Sequence, residues 1–196
     1  RLADDGVTEI TLLGQTVNAY GRGLGKGATL AALLRVLHEI PSLRRLAFIT
    51  SHPSFLGGEL IDAIAGLPKV ARYLHLPAQS GSNAVLKAMR RGYTVERYLA
   101  RLDQLRAKAP DIELHSDFIV GYPGETAADF DATVALVQRV GFAQSYVFKY
   151  SPRPGTVAAE LPDDVPEAEK ERRNAVLLAA QEELTLAKNR ALVGTT

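Results

Sequence analysis

Apolar positions along this chain follow two periods. Five short runs rich in Leu, Ile, Val and Phe lack strict alternation: Thr8–Leu13, Leu46–Thr50, Arg72–Leu76, Glu113–Gly121 and Gln144–Tyr150. That pattern predicts parallel strands covered on both faces. Between them, apolar residues fall three and four apart, as amphipathic helices require. Leu30, Leu33, Leu34 and Leu37 form one stripe, and Leu60, Ile61 and Ile64 a second. Ser82 can cap a helix containing Leu86 and Met89, and Thr94 one carrying Val95, Leu99, Leu102 and Leu105 inward. Thr126 and Asp129 form an S/T-x-x-D start with Phe130, Val134 and Val137 on the buried face. The predicted order is β-α-β-α-β-α-α-β-α-β-α, an α/β fold on a parallel sheet with right-handed crossovers.

Leu161-Pro162-Asp163-Asp164-Val165-Pro166 breaks the pattern and reads as a linker, with Pro166 suited to the first turn of a last helix. Val176, Leu177, Ala180, Leu184 and Ala187 mark that helix's expected inner side, and Ala191-Leu192-Val193-Gly194 is expected to open a further strand or module. Residues 1–160 are thus expected to form the main domain and residues 161–196 a linker and helix leading onward.

Each strand run ends in Gly, Pro and small polar residues. The clusters begin at Gly14-Gln15-Thr16, Thr50-Ser51-His52-Pro53, Pro77-Ala78-Gln79-Ser80-Gly81, Gly121-Tyr122-Pro123-Gly124-Glu125-Thr126 and Ser151-Pro152-Arg153-Pro154-Gly155. In parallel α/β folds such strand ends share the face on which ligands bind. Composition narrows the ligand. The chain has 196 residues, 46% of them hydrophobic, a net charge of +1 and no cysteine. The core is sizeable, the charge alone does not mark a polyanion binder, and no thiolate-held zinc or iron–sulfur cluster can form within these residues. No apolar stretch is long enough to cross a membrane, so a cytoplasmic protein with no membrane partner is expected. A chain that starts on Arg1 reads as a piece of something longer.

Asp117 sits inside the apolar run Ser116-Asp117-Phe118-Ile119-Val120, so its carboxylate must be paired, exposed in a barrel interior or bound to ligand. Gln79 and Ser80 offer an amide and a hydroxyl that can both donate and accept, suiting sugar hydroxyls or an amino-acid head group. Gly121 and Gly124 permit close backbone approach, or simply serve an ordinary βα turn. Gly21-Arg22-Gly23-Leu24-Gly25 follows a loop rather than a strand and reads as a flexible connection. His38, His52, His75 and His115 show no metal-ligand spacing, and no metal site is predicted. Lys87, Arg90, Arg91, Arg97 and Arg101 form a basic helical cluster, either a solvated face or a contact for RNA.

Taken together, the segments Leu12–Gly21, Thr50–Pro53, Leu74–Ser82, Met89–Thr94, Ser116–Thr126 and Ser151–Thr156 closely resemble the radical S-adenosylmethionine (SAM) methylthiotransferases, in particular their MiaB-type, tRNA-modifying branch. Thr16 stands where that branch more usually has Asn. The resemblance implies a partial TIM-like (βα)6 barrel of which this chain lacks the first βα unit. That unit carries the C-x-x-x-C-x-x-C loop holding a [4Fe–4S] cluster. It also implies a TRAM domain beyond residue 196, an electron donor for the cluster, a monomer, and the tRNA anticodon stem-loop as partner. The implied reaction is insertion of sulfur at C2 of N6-isopentenyladenosine followed by methylation, with SAM as radical source and methyl donor. A threonylcarbamoyl-adenosine substrate is the near alternative, and a non-catalytic nucleotide- or RNA-binding scaffold the distant one. The positions implied to meet SAM are Gly14, Gln15, Thr16, Gln79, Ser80, Asp117, Ile119, Gly121, Glu125 and Arg153. Glu125 would fix the Gly121 loop, and Arg153 would face a SAM carboxylate or an RNA phosphate. No catalytic residue is resolved in this chain.

Overall fold

The computed structural model describes residues 1–25 and 27–195. Among them run β1 (Glu9–Leu12), α1 (Leu30–His38), β2 (Arg45–Phe48), α2 (Gly58–Gly66), β3 (Tyr73–His75), α3 (Asn83–Ala88), α4 (Val95–Lys108), β4 (Glu113–Val120), α5 (Ala127–Val140), β5 (Gln144–Lys149) and α6 (Glu167–Leu192). The order is the one the sequence pattern predicts. The fold is α/β with parallel strands, and among the described residues the strands do not close into a barrel. Two compact units make up the chain, Arg1–Pro77 with Tyr98–Glu113, and Ala78–Arg97 with Leu114–Thr196.

In the first unit β1 pairs in parallel with β2, from Glu9 opposite Arg45 to Leu12 opposite Phe48. Leu46 bridges in parallel to Val70, just before β3, and Ser51 N–H donates to the His75 carbonyl at 3.3 Å. Leu34, Leu46, Phe48, Ile61, Ile64, Leu74 and Leu105 are buried to within 1% exposure, which locates the core where the apolar period placed it. On α4 the inner stripe is Tyr98, Leu102 and Leu105, with Leu99 only half-buried. Tyr98 can sit inside because its hydroxyl donates to the Leu76 carbonyl at 2.9 Å.

In the second unit β4 and β5 pair in parallel from His115 opposite Gln144 to Val120 opposite Lys149, and Gln79 bridges in parallel to Phe118. Burial does alternate along β4. Leu114, Ser116, Phe118 and Val120 are buried, whereas His115, Asp117 and Ile119 are half-exposed. The expectation of strands covered on both faces therefore fails at β4, where Asp117 and Ile119 form a cavity wall, and also at β1 and β5, where exposed residues recur along the strand. Thr126 and Asp129 make a full capping box at the start of α5, whose buried stripe is Phe130, Thr133, Leu136, Val137 and Val140. Thr133 thus takes the place expected for Val134, since its hydroxyl has partners inside: it donates to the Asp129 carbonyl at 3.1 Å and accepts from Gly81 N–H at 2.9 Å.

α6 departs furthest from expectation. Its buried residues are Lys170, Arg173, Leu177 and Gln181, while Val176 is 38% exposed. The inner stripe is polar because its partners are backbone carbonyls and carboxylates of β5 and of the loops on either side of α5 and before α6. Asn174 donates to the Val147 carbonyl at 3.0 Å, Gln181 to the Phe142 carbonyl at 3.0 Å and Thr185 to the Ala143 carbonyl at 2.8 Å. Pro166 precedes the helix as its cap rather than entering its first turn, and Ala191 and Leu192 end the helix instead of opening a strand.

Candidate nucleotide site

The second unit holds a cavity of about 610 Å³ whose lining includes Gln79, Asp117, Ile119, Phe148, Tyr150 and Arg153. That volume lies within the usual range for small-molecule sites. Parallel topology brings the lining together. Asp117 and Ile119 project from the half-exposed face of β4, their register partners Tyr146 and Phe148 stand on β5, and Gln79 lies beside β4. Gln79 adopts a left-handed φ of 67°, a conformation costly for a residue with a side chain. Two backbone bonds hold it there: its N–H donates to the Asp117 carbonyl at 2.8 Å and its carbonyl accepts from Ile119 N–H at 3.0 Å.

The cavity lining combines aromatic and basic side chains. Tyr122 and Tyr150 meet edge to face at 5.2 Å, and both line it with Phe148. Arg91 and Arg153 line it as well. Arg91 Nε is buried with no hydrogen-bond partner among the described residues. Two guanidinium groups beside planar apolar surface suit an anionic group attached to an aromatic ring. Sequence reasoning missed Arg91, assigning it to an exposed basic cluster. No local pattern singles it out; in the structure Arg90, with a φ of 56°, turns the chain between α3 and Gly92. Lys87, Arg90 and Arg97 of the same unit are exposed, and Arg101 in the first unit bonds Gln104 at 2.9 Å.

The remaining positions implied to meet SAM lie elsewhere. Ser80 is 1% exposed, with its hydroxyl 3.3 Å from that of Thr133 and accepting from Ser82 N–H at 3.1 Å. Its hydrogen bonds go to the scaffold. Ser82 caps α3, accepting from Ala84 and Val85 N–H, and its own hydroxyl donates to Asp129 at 2.5 Å. That bond comes first among the causes holding the Asp129 carboxyl below its ordinary value, followed by the bond from Thr126. Gly121 takes a φ of 71°, and its N–H donates to Glu125 Oε2 at 2.6 Å. Glu125 is buried, and burial raises its pKa above the ordinary carboxylate value while Gly121 N–H and Arg173 pull the other way. Tyr93 donates to the carbonyl of Ala78, the residue before Gln79, at 3.1 Å, and burial pushes its pKa up to about 12.

Gly14, Gln15 and Thr16 belong to the first unit, on the turn after β1, where Gly14 and Gln15 are exposed and Thr16 opens a short 3-10 turn. Val17 N–H donates to the Thr50 carbonyl at 3.0 Å, and Asn18 pairs both ways with the His52 backbone at 2.9 and 2.8 Å. The stretch read as a flexible connection has a fixed start: a Cβ on Gly21 would lie 1.6 Å from the Ala28 carbonyl oxygen, and Arg22 stacks 4.8 Å over the Phe55 ring. Among the described residues no three His, Asp or Glu side chains form a metal-binding group, and no helix is long and apolar enough to cross a membrane.

The family pattern of the radical SAM superfamily matches residues 1–137. The chain is 54% identical over 197 aligned residues to the tRNA-2-methylthio-N(6)-dimethylallyladenosine synthase of Chromobacterium violaceum, covering 99% of this chain and 44% of that protein. It is 55% identical to the synthase of the same name from Coxiella burnetii, over 90% of this chain and 40% of that one. Neisseria meningitidis has another at 50%, over 99% and 44%. The chain thus spans well under half the length of these curated relatives. Among solved structures it resembles coproporphyrinogen III oxidase (HemN) from Escherichia coli, with a TM-score of 0.67 at 18% identity over 89% of this chain and 41% of that one. Methylornithine synthase (PylB) matches with a TM-score of 0.56 at 14% identity, over 90% and 49%. Those two likenesses concern the fold alone. The family match spans well over half of the chain: the chain belongs to the radical SAM superfamily.

Proposed function

We propose that this chain is the SAM-binding region of a tRNA methylthiotransferase that inserts sulfur at C2 of N6-isopentenyladenosine beside the anticodon and methylates it. The observation that carries this reading is 50% identity or more with synthases of that name, sustained over 99% of the chain in those of Chromobacterium violaceum and Neisseria meningitidis. Residues 1–160 would supply units two to six of a partial (βα)6 barrel, and residues 161–196 the segment leading to a TRAM domain that grips RNA.

The residues of the cavity fit SAM. Its adenosyl part asks for an apolar, planar surface, which Ile119, Tyr122 and Phe148 offer. Its carboxylate asks for a cation, and Arg91 and Arg153 are available. Gln79 can serve a ribose hydroxyl or the amino-acid head, and Asp117 the ammonium. No residue here fits the [4Fe–4S] cluster, because the chain contains no cysteine. Cluster and SAM together, when bound, supply a radical able to take the hydrogen at C2, which is not acidic and lies beyond acid–base chemistry. The protein's own share is to bind, orient and exclude water.

Nucleoside mass spectrometry of tRNA from cells lacking the gene tests this. Loss of the 2-methylthio group from isopentenyladenosine, with the isopentenyl group retained, is the expected result. Loss from threonylcarbamoyl-adenosine instead would reassign the substrate, and unchanged nucleosides would refute the activity.

A further inference from the structure

The start of α6 grips the Gly121–Glu125 turn from behind. Arg173 Nη1 donates to Glu125 Oε2 at 2.7 Å and to the Glu125 carbonyl at 2.9 Å, while its Nε donates to Glu169 at 2.8 Å. The same Glu125 oxygen accepts from Gly121 N–H at 2.6 Å, so a single carboxylate joins helix and turn. The Arg173 side chain is 6% exposed and that of Glu125 fully buried. Two more contacts close around the turn. A Cβ on Gly121 would fall 2.4 Å from Lys170 Cγ, so the lysine stem lies directly on that glycine. Lys170 Nζ, bonded to Asp163 at 2.6 Å, sits 5.4 Å over the ring of Tyr150, a cavity residue, and Asp164 accepts from Gly124 N–H at 2.7 Å.

We infer that Arg173 is a positioning residue for the nucleotide site: through the Glu125 carboxylate it sets the Gly121 turn, so the helix after the segment read as a linker is part of the site's construction. The reason lies in what a buried carboxylate needs. Glu125 cannot hold Gly121 N–H strongly unless it is ionised, and ionisation out of water requires a buried cation with matching donors. Arg173 is the guanidinium that donates to it. Its planar fork reaches two acceptors of one residue and a third on Glu169, which lysine's point charge cannot reproduce.

This inference rests on the reading of the cavity as a SAM site, and the test separates the two. Isotope-labelled chain is prepared as wild type, R173M and R173K, and the Gly121 amide resonance and SAM affinity are read by NMR titration with SAM itself. Wild type should show Gly121 far downfield, as a short charge-assisted bond requires. Folded R173M should lose that shift and bind SAM about tenfold more weakly, with R173K between them. A folded R173M with wild-type Gly121 shift and affinity overturns the inference. Should R173M fail to fold, R173K decides: a displaced Gly121 resonance with weakened SAM supports positioning, and wild-type values refute it. If wild type binds no SAM yet Gly121 still responds to R173M, the positioning of the turn stands and the nucleotide reading falls.

Discussion

Gly81→Ala tests how the Gln79 loop is held. A Cβ at Gly81 would lie 2.3 Å from the Ala132 carbonyl oxygen and 2.5 Å from Thr133 Cα, all backbone atoms that no rotamer change can move. Its φ lies outside the left-handed region, so the added methyl meets no conformational penalty of its own. Packing alone sets the cost. Attractive contacts need roughly 3.5–4 Å between heavy atoms, so loop and α5 must separate by an ångström or more. That displacement strains the Thr133 bonds to Gly81 N–H, at 2.9 Å, and to Ser80, at 3.3 Å. Overpacking of this kind destabilises by about 1–3 kcal/mol. With a urea m-value of about 2 kcal/mol/M, the midpoint should fall by roughly 0.5–1.5 M. Gly66, near the end of α2, is the control, since a Cβ added there would meet nothing within 4 Å. Gly66→Ala should leave stability unchanged or raise it by up to about 1 kcal/mol through helix propensity. A Gly81→Ala midpoint equal to wild type would refute the close approach.

Ser82→Ala removes the α3 cap and the Asp129 partner together, and urea denaturation should show a loss of about 1–2 kcal/mol. Glu169, bonded first to Arg172 and then to Arg173, has its pKa lowered to about 2. Its folded value lies below its unfolded one, so the stability it contributes is present above the ordinary value of 4.5 and is lost as pH falls from there toward 2; Glu169→Gln should flatten the acid limb of a stability–pH curve in that window. Glu125 acts oppositely, since its raised folded pKa makes its own contribution less favourable as pH rises through the window between its unfolded and folded values. Reconstituted with iron and sulfide, the 196-residue chain should show no cluster absorbance, because it has no cysteine.

The helices were legible because their burial follows period, and the strands from short apolar runs, although those runs did not announce which faces stay open. Leu30, Leu34, Leu60, Ile61 and Ile64 are buried as the apolar stripes predicted. The α6 face was not legible. An apolar period selects Val176, Leu177 and Ala180, of which only Leu177 is buried, and the helix turns Lys170, Arg173 and Gln181 inward beside it. Their partners, Asp163, Glu125 and the Phe142 carbonyl, come mostly from distant parts of the sequence, so no local pattern could announce the pairing. Asp117 was legible from the opposite signal, a carboxylate in an apolar run, and it lines the cavity. Arg91 was hidden within a basic run, and only the left-handed turn at Arg90 distinguishes it from its exposed neighbours.

Whether the cavity beside β4 and β5 binds SAM is decided by amide mapping of a SAM titration. Without a cluster to anchor the amino-acid head, affinity should be weak, about millimolar. Saturable shifts are expected at Gln79, Arg91, Asp117, Ile119 and Arg153, abolished together in R91A/R153A protein that remains folded. Saturable binding that leaves these five resonances unmoved would contradict the assignment of SAM to this cavity.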